Sequence, residues 1–300
     1  MAINRAQLVA ELEPGLNALF GLEYKTYADE TTMIFDSEGS DKAFEEEVLL
    51  TGFGAAVTKD EGGSVSFDSA SEAWTARYDH ETIALAFSLT EESIEDNLYE
   101  KLSARYTKAL ARSMAHTKNV KGAAILNNAF TSFTVGDNVE LCGAHVAVAG
   151  NTNLNSPTTG VDLSETSLEA AYITIAGWTD ERGLDIAVKP KNLVLPADLT
   201  FVAERVLMST GRVETADNDL NAIKSASAIP GGYQINHYLT DPDAWYLMTD
   251  CPNSLKHFKR AAMKTGMEGD FDTGNMRYKA RERYSFGASD WRGIYGSEGI

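Results

Sequence analysis

Three features of this 300-residue sequence predict an α+β fold organised around one long helix. Residues 88–130 run without a proline, hold a single glycine (Gly122), and repeat apolar side chains at helical spacing. A β-patterned stretch with a Gly-Gly turn precedes them. A β-rich tail, in which charges alternate with aromatic and apolar residues, closes the chain.

In chain order, residues 1–44 lack a sustained period. Asn4 is placed to cap a short amphipathic helix carrying Leu8, Val9 and Leu12, which Pro14 and Gly15 are expected to end. The rest of this stretch reads either as an irregular lobe or as an arm that finds its surface on another chain. From Val48 the segments VLLTGFGAAVTKD and SVSFDSASEAWTARYDHETIALAF flank Glu61-Gly62-Gly63 and predict a long hairpin over residues 45–85. Its arms are rich in Ala, Ser, Thr and Gly, so they can bury little against their own core. A two-stranded ribbon is marginal alone, and this one is expected to rest on a neighbouring subunit.

The long helix is expected to bury Ile94, Leu98, Leu102, Tyr106, Ala109, Leu110, Met114, Val120, Ala123 and Ala124. Ser88 and Glu91 have capping-box spacing, and Glu91, Glu92, Glu95 and Asp96 suit a helix N-terminus. Such a strut, with a bend at Gly122, is longer than a compact domain needs and suggests a building block. The lobe over residues 134–250 predicts a helix capped at Ser164 with Leu168, Ala171, Tyr172 and Ile175 on one face. A strand ended by Pro196 follows. The next helix buries Leu199, Val202, Val206 and Leu207, then come a long polar loop and two strands, YQINHYL and AWYLMTD. In the tail a hairpin turns between Gly269 and Gly274. Strand period 2 then places Arg277, Lys279, Arg281 and Arg283 on one face, opposite Tyr278, Ala280, Glu282 and Tyr284. That row is either a solvated face or a docking strip for acidic segments of another copy, such as Glu45-Glu46-Glu47 or Asp60-Glu61.

The net charge of −18 excludes broad nucleic-acid gripping. Cys142 and Cys251 form no CxxC pair, which fits a reduced compartment and small buried roles. No apolar run approaches the ~18 residues of a membrane span. The five histidines, His80, His116, His145, His237 and His257, show no metal-ligand spacing, so no metal and no cofactor are expected. His116, inside the helix, reads as a packing or surface residue. Nucleophile elbows and phosphate-binding loops are lacking. Gly52-Phe53-Gly54 opens like a dinucleotide fingerprint, but Val57 holds the third glycine position and TKDEGGS cannot begin the required helix.

The order of these elements, with LPADLTFVAERVLMS after KPKNLV, DPDAWYLMTD and the closing YSFGASDWRGIYGSEGI, resembles the major capsid proteins of tailed bacteriophages of the Hong Kong 97 type, Mu-like head subunits among them. The resemblance implies a non-enzymatic subunit that assembles into pentamers and hexamers, forming an icosahedral shell around double-stranded DNA without reading its sequence. It implies an N-terminal arm (1–44), an E-loop (45–85) and a peripheral domain (86–134 and 252–300) with a spine helix over about 88–130. The axial domain is then 135–251, with its loop 212–229 near the symmetry axes. Lys59, Asp60 and Glu61 at the E-loop tip and Arg277, Lys279, Arg281 and Arg283 become candidate inter-subunit contacts. Some relatives join an E-loop lysine to a peripheral asparagine; here neither Lys59 nor Asn275 sits in a matching motif. The arm begins almost at Met1, so a cleaved scaffolding segment is expected to be missing or already removed and a separate scaffolding protein to act. A portal and a possible decoration protein complete the implied partners, and no membrane is involved. The alternatives are an encapsulin-like compartment of the same fold, or a cytosolic enzyme with its site in the 134–250 lobe.

Overall fold

A computed structural model describes residues 5–90, 92, 99–211, 220–270 and 273–300 of the chain. Helix α1 (Arg5–Thr26) leads to strands β1 (Asp36–Gly39), β2 (Phe44–Leu50), β3 (Glu72–Asp79) and β4 (Glu81–Leu89). The long helix α2 is Tyr99–Asn127, 29 residues and therefore about 43 Å. The lobe holds β5 (Ala144–Val146), β6 (Thr152–Leu154), α3 (Glu165–Ala176), β7 (Pro190–Leu195), α4 (Thr200–Met208), α5 (Ala222–Ser225), β8 (Tyr233–Ile235) and β9 (Trp245–Thr249). The tail adds β10 (Leu255–Gly269), β11 (Met276–Ala288) and β12 (Ile294–Ser297).

Two four-stranded sheets carry the architecture. The first has the order β1-β10-β11-β4, with β1 parallel to β10 and the other pairs antiparallel. Its hairpin turns where Gly274, at φ 71, hydrogen-bonds back to Asp270. One face of this sheet packs on α1 and α2: Leu16 and Phe20 meet Leu110, Ala111, Met114, Tyr278 and Ala280. The second sheet, β12-β9-β7-β8, lies in the larger core with Leu193, Leu195, Trp245, Leu247, Ile175 and Trp178.

Several expectations are corrected. Pro14 and Gly15 do not end the first helix, which continues to Thr26. An internal proline costs about 3 kcal/mol, but burying Leu16 and Phe20 in the following turns offsets it at about 1.5–3 kcal/mol each. The proposed cap Asn4 lies outside the described residues. Ser88 is not a helix cap: it lies in β4, paired with Arg277, because β11 offers that strand a complete ladder. Glu91, Ile94, Glu95, Asp96 and Leu98 lie outside the described residues. Tyr106, Ala109 and Val120 are exposed, and the buried row instead includes Ser103, Thr107 and Asn119. Asn119 is inside because the chain reversal after α1 needs it: its side chain donates to the Ala28 carbonyl and accepts from the Glu30 amide. The helix passes unbroken through Gly122 and stops at Asn127, short of Phe130.

The 45–85 hairpin is shorter and divided. Strands β2 and β3 pair, but residues 51–71 have no ladder, and residues 81–89 cross to the first sheet as β4. In the lobe, Ser164 caps α3 as its spacing predicts. Within the loop expected over 212–229, residues 212–219 are not among those described, and Asn221 caps the short α5. The tail also divides. Strand β10 packs on α1 and β11 on α2, whereas β12 pairs with β9 because Trp291, Ile294 and Tyr295 belong to the lobe core.

Candidate assembly surfaces

The face of β11 turned away from the helices carries Arg277, Lys279 and Arg281 exposed and Arg283 half-buried, the alternation predicted from the sequence. Strand register adds Lys264, opposite Arg281 on β10, a fifth cation that the tail's spacing did not reveal. On the other side, β4 presents Thr82, Ala84, Ala86 and Ser88, all exposed and small, opposite Arg283, Arg281, Lys279 and Arg277. Arg277 is held by Asp270. Among the described residues, Lys264, Lys279, Arg281 and Arg283 have no ion-pair partner. The result is a mainly positive strip, with Glu268 opposite Arg277, beside a low wall, chemically suited to an acidic extended segment.

The second surface is the ribbon of β2 and β3 with its loop. Its foot is fastened by an ionic group around the buried Lys256: Lys256 reaches Glu47 and Glu38, and Ser289 donates to Glu47 while Tyr78 shares a 2.5 Å hydrogen bond with Ser289. Burial works against the Lys256 ammonium, but the hydrogen bonds and charges of Glu47 and Glu38 outweigh it and hold its pKa above the ordinary lysine value. Trp74 Nε1 adds a 3.1 Å bond to the Ser289 carbonyl. At the tip, Gly62 adopts φ 79 and the Gly63 amide closes on the Asp60 carbonyl at 3.0 Å. Lys59, Asp60 and Glu61 are exposed there. Along the loop, Phe53, Val57, Val65 and Phe67 are also exposed, Phe67 to 95%. Asp68 takes two hydrogen bonds from Arg182 Nη2, at 2.9 and 3.0 Å, and one from the Gly54 amide at 2.8 Å. That clasp to the lobe had no signal in sequence spacing, since the two residues lie far apart in the chain.

The structure does not join the tip to the basic strip within one chain: among the described residues no ion pair links Lys59, Asp60 or Glu61 to Arg277, Lys279, Arg281 or Arg283. It also narrows the acidic candidates. Glu45 is engaged by Lys42 and Ser40, Glu46 lies 3.6 Å from Arg77, and Glu47 serves Lys256, which leaves Asp60 and Glu61.

The most enzyme-like group in the lobe is His145, whose Nδ1 lies 2.6 Å from Asp137 Oδ2. It is 1% exposed and stacked on Trp291 at 4.6 Å, so substrate has no path to it. His116 packs edge-on against Tyr238. Cys142 is buried, which pushes its thiol pKa up, and burial pushes that of the half-buried Cys251 up to about 12; neither is a poised nucleophile. Among the described residues no cluster could hold a metal, and no helix is long and apolar enough to cross a membrane.

A long helix backing one sheet, a second sheet in the larger core, and a separate fastened ribbon with an exposed loop define a shell-tile fold of the Hong Kong 97 type. The chain belongs to the family described as phage capsid protein, whose pattern matches residues 73–297. Solved structures of similar fold include one from Microbacterium phage Oxtober96, 10% identical, covering 90% of each chain with TM-score 0.52. The capsid of Myoviridae phage XM1 is 9% identical over 91% of this chain and 93% of its own, with TM-score 0.51. A virus-like particle from Pyrococcus furiosus is 9% identical over 94% and 97%, with TM-score 0.53. A comparison with curated protein sequences finds no match.

Proposed function

We propose that this capsid protein is the major head subunit of a tailed phage, tiling an icosahedral shell as pentamers and hexamers around double-stranded DNA, and that it performs no catalysis. The observation that carries the reading is the loop over residues 51–71. Its foot is fixed by Lys256 and Glu47, yet Phe53, Val57, Val65 and Phe67 are left facing solvent. A fixed projection with uncovered apolar residues is built to meet another surface. In this reading residues 45–80 form the E-loop and residues 81–134 with 252–293 the peripheral domain. Residues 135–251, joined by 294–297, form the axial domain. The tip carboxylates Asp60 and Glu61 dock on the basic strip of a neighbour. A net charge of −18 suits a wall that must not hold packed DNA by counterion release. Scaffolding, portal and decoration proteins are the partners such a shell uses.

Deletion of residues 55–68 is the test. The expected product is a folded, soluble core that forms no shells under electron microscopy, whereas normal particles would overturn the reading. Particles of the intact chain should enclose DNA; cargo protein without DNA would favour a storage compartment.

A further inference from the structure

The lobe carries an apolar knob and an apolar socket that do not meet within one chain. Helix α3 buries Leu168, Ala171 and Ile175, and leaves Tyr172 and Ile173 outward, Ile173 to 71%. Between them and the segment carrying Ile223, Ala228 and Ile229 lies an apolar groove of about 290 Å³, floored by Leu247. The one charged residue in its lining is Glu169, half-buried and, among the described residues, without an ion-pair partner. Helix α4 buries Ala203, Val206 and Leu207 and turns Phe201, Arg205 and Met208 to solvent. These three stand at i, i+4 and i+7, one line along the helix. Phe201 is 77% exposed, and Arg205 has no ion-pair partner among the described residues. None of the three lines the groove.

We propose that the α4 line of one copy seats in the α3 groove of the next, with Phe201 entering between Tyr172, Ile173 and Ile229 and Arg205 pairing with Glu169. The match is in charge as well as polarity: one uncompensated cation on the apolar line meets one uncompensated carboxylate in the apolar groove. Knob and socket are different surfaces of the same lobe, so the contact is head-to-tail and repeats until rotation closes it into a ring. It assigns the ring contact to α3 and α4, independently of the ribbon and the basic strip, and it rests on the shell reading above.

The test uses the full chain. Phe201→Ser, Glu169→Arg and Arg205→Glu each alter side chains outside the monomer core, so the thermal midpoint of the unassembled chain should hold. Each should raise the concentration needed for rings or shells, by roughly tenfold for Phe201→Ser, as truncation of an interface anchor does. The double swap Glu169→Arg/Arg205→Glu should recover assembly lost by either single change. Wild-type shells with unaltered assembly in Phe201→Ser and Glu169→Arg would overturn this contact and leave the shell reading standing. A wild-type chain that stays monomeric under every condition would overturn the shell reading and this contact with it.

Discussion

Gly122 stands where α2 packs against the turn after α1, and its missing side chain is what allows the approach. A Cβ there would lie 2.5 Å from Thr31 Cγ2, and Thr31 is buried with its hydroxyl on Asp29. Helix propensity favours alanine over glycine by about 1 kcal/mol, but overpacking costs about 1–3 kcal/mol, so Gly122→Ala should lower stability. In a Thr31→Ser background, which keeps the hydroxyl and removes the methyl, the same substitution should become neutral or stabilising. Urea unfolding of the four chains checks the sign change. His257 gives a second test at this scale. It is buried, stacked on Phe286 at 4.3 Å, and its Nδ1 lies 3.2 Å from Ser37 Oγ. Burial, reinforced by Lys118 and Lys259 against the opposing Asp29, lowers its pKa to about 3. A depressed folded value means that the uncharged ring stabilises the fold fully above the unfolded value near 6.5, and that this stability is lost as pH falls from there towards 3. His257→Phe should therefore flatten the fall in urea midpoint across that window; equal slopes in both chains would remove His257 from the account.

Among the elements, those with strong local chemistry were legible: α3 with its Ser164 cap, the tail hairpin, and the period-2 charges of β11. Where local and tertiary signals compete, the sequence misleads. Pro14 reads as a helix stop, and only the α2 surface that receives Leu16 and Phe20 explains why α1 continues. Ser88 and Glu91 read as a capping box until β11 claims Ser88 for a ladder. The same packing decides whether α1 is a free arm. Phe20 is buried against Leu110 and Met114 of its own chain. Phe20→Ala should thus lower the unfolding free energy of the unassembled chain by about 3–5 kcal/mol, measurable by urea titration at concentrations too low for assembly. An arm that met its surface only on another chain would leave that value unchanged.

For the whole molecule, the order of elements was readable because each has its own periodicity. The partners of each surface were not, because contacts such as Asp68 with Arg182 or Lys256 with Glu47 join residues far apart in sequence. Of the predicted contact residues, the strand period correctly put Arg277, Lys279, Arg281 and Arg283 on one face, while Lys264 needed the register. The docking proposed for that face is tested through charge, because the chain holds 44 acidic and 26 basic residues and every other copy is a net anion. In that proposal the unpaired cations on one face orient the encounter, with Asp60 and Glu61 as exposed acids at the loop tip. Exposed charges act over a screening length of about 30 Å at 0.01 M salt and about 3 Å at 1 M. Replacing Arg281 and Arg283 by Glu should therefore raise the concentration required for assembly sharply at low salt and little at high salt. Lys279→Glu/Arg281→Glu, both exposed, should do the same without touching the half-buried Arg283. Light scattering across a salt series decides it: a strip that only meets solvent gives variant and wild-type curves that coincide at every ionic strength.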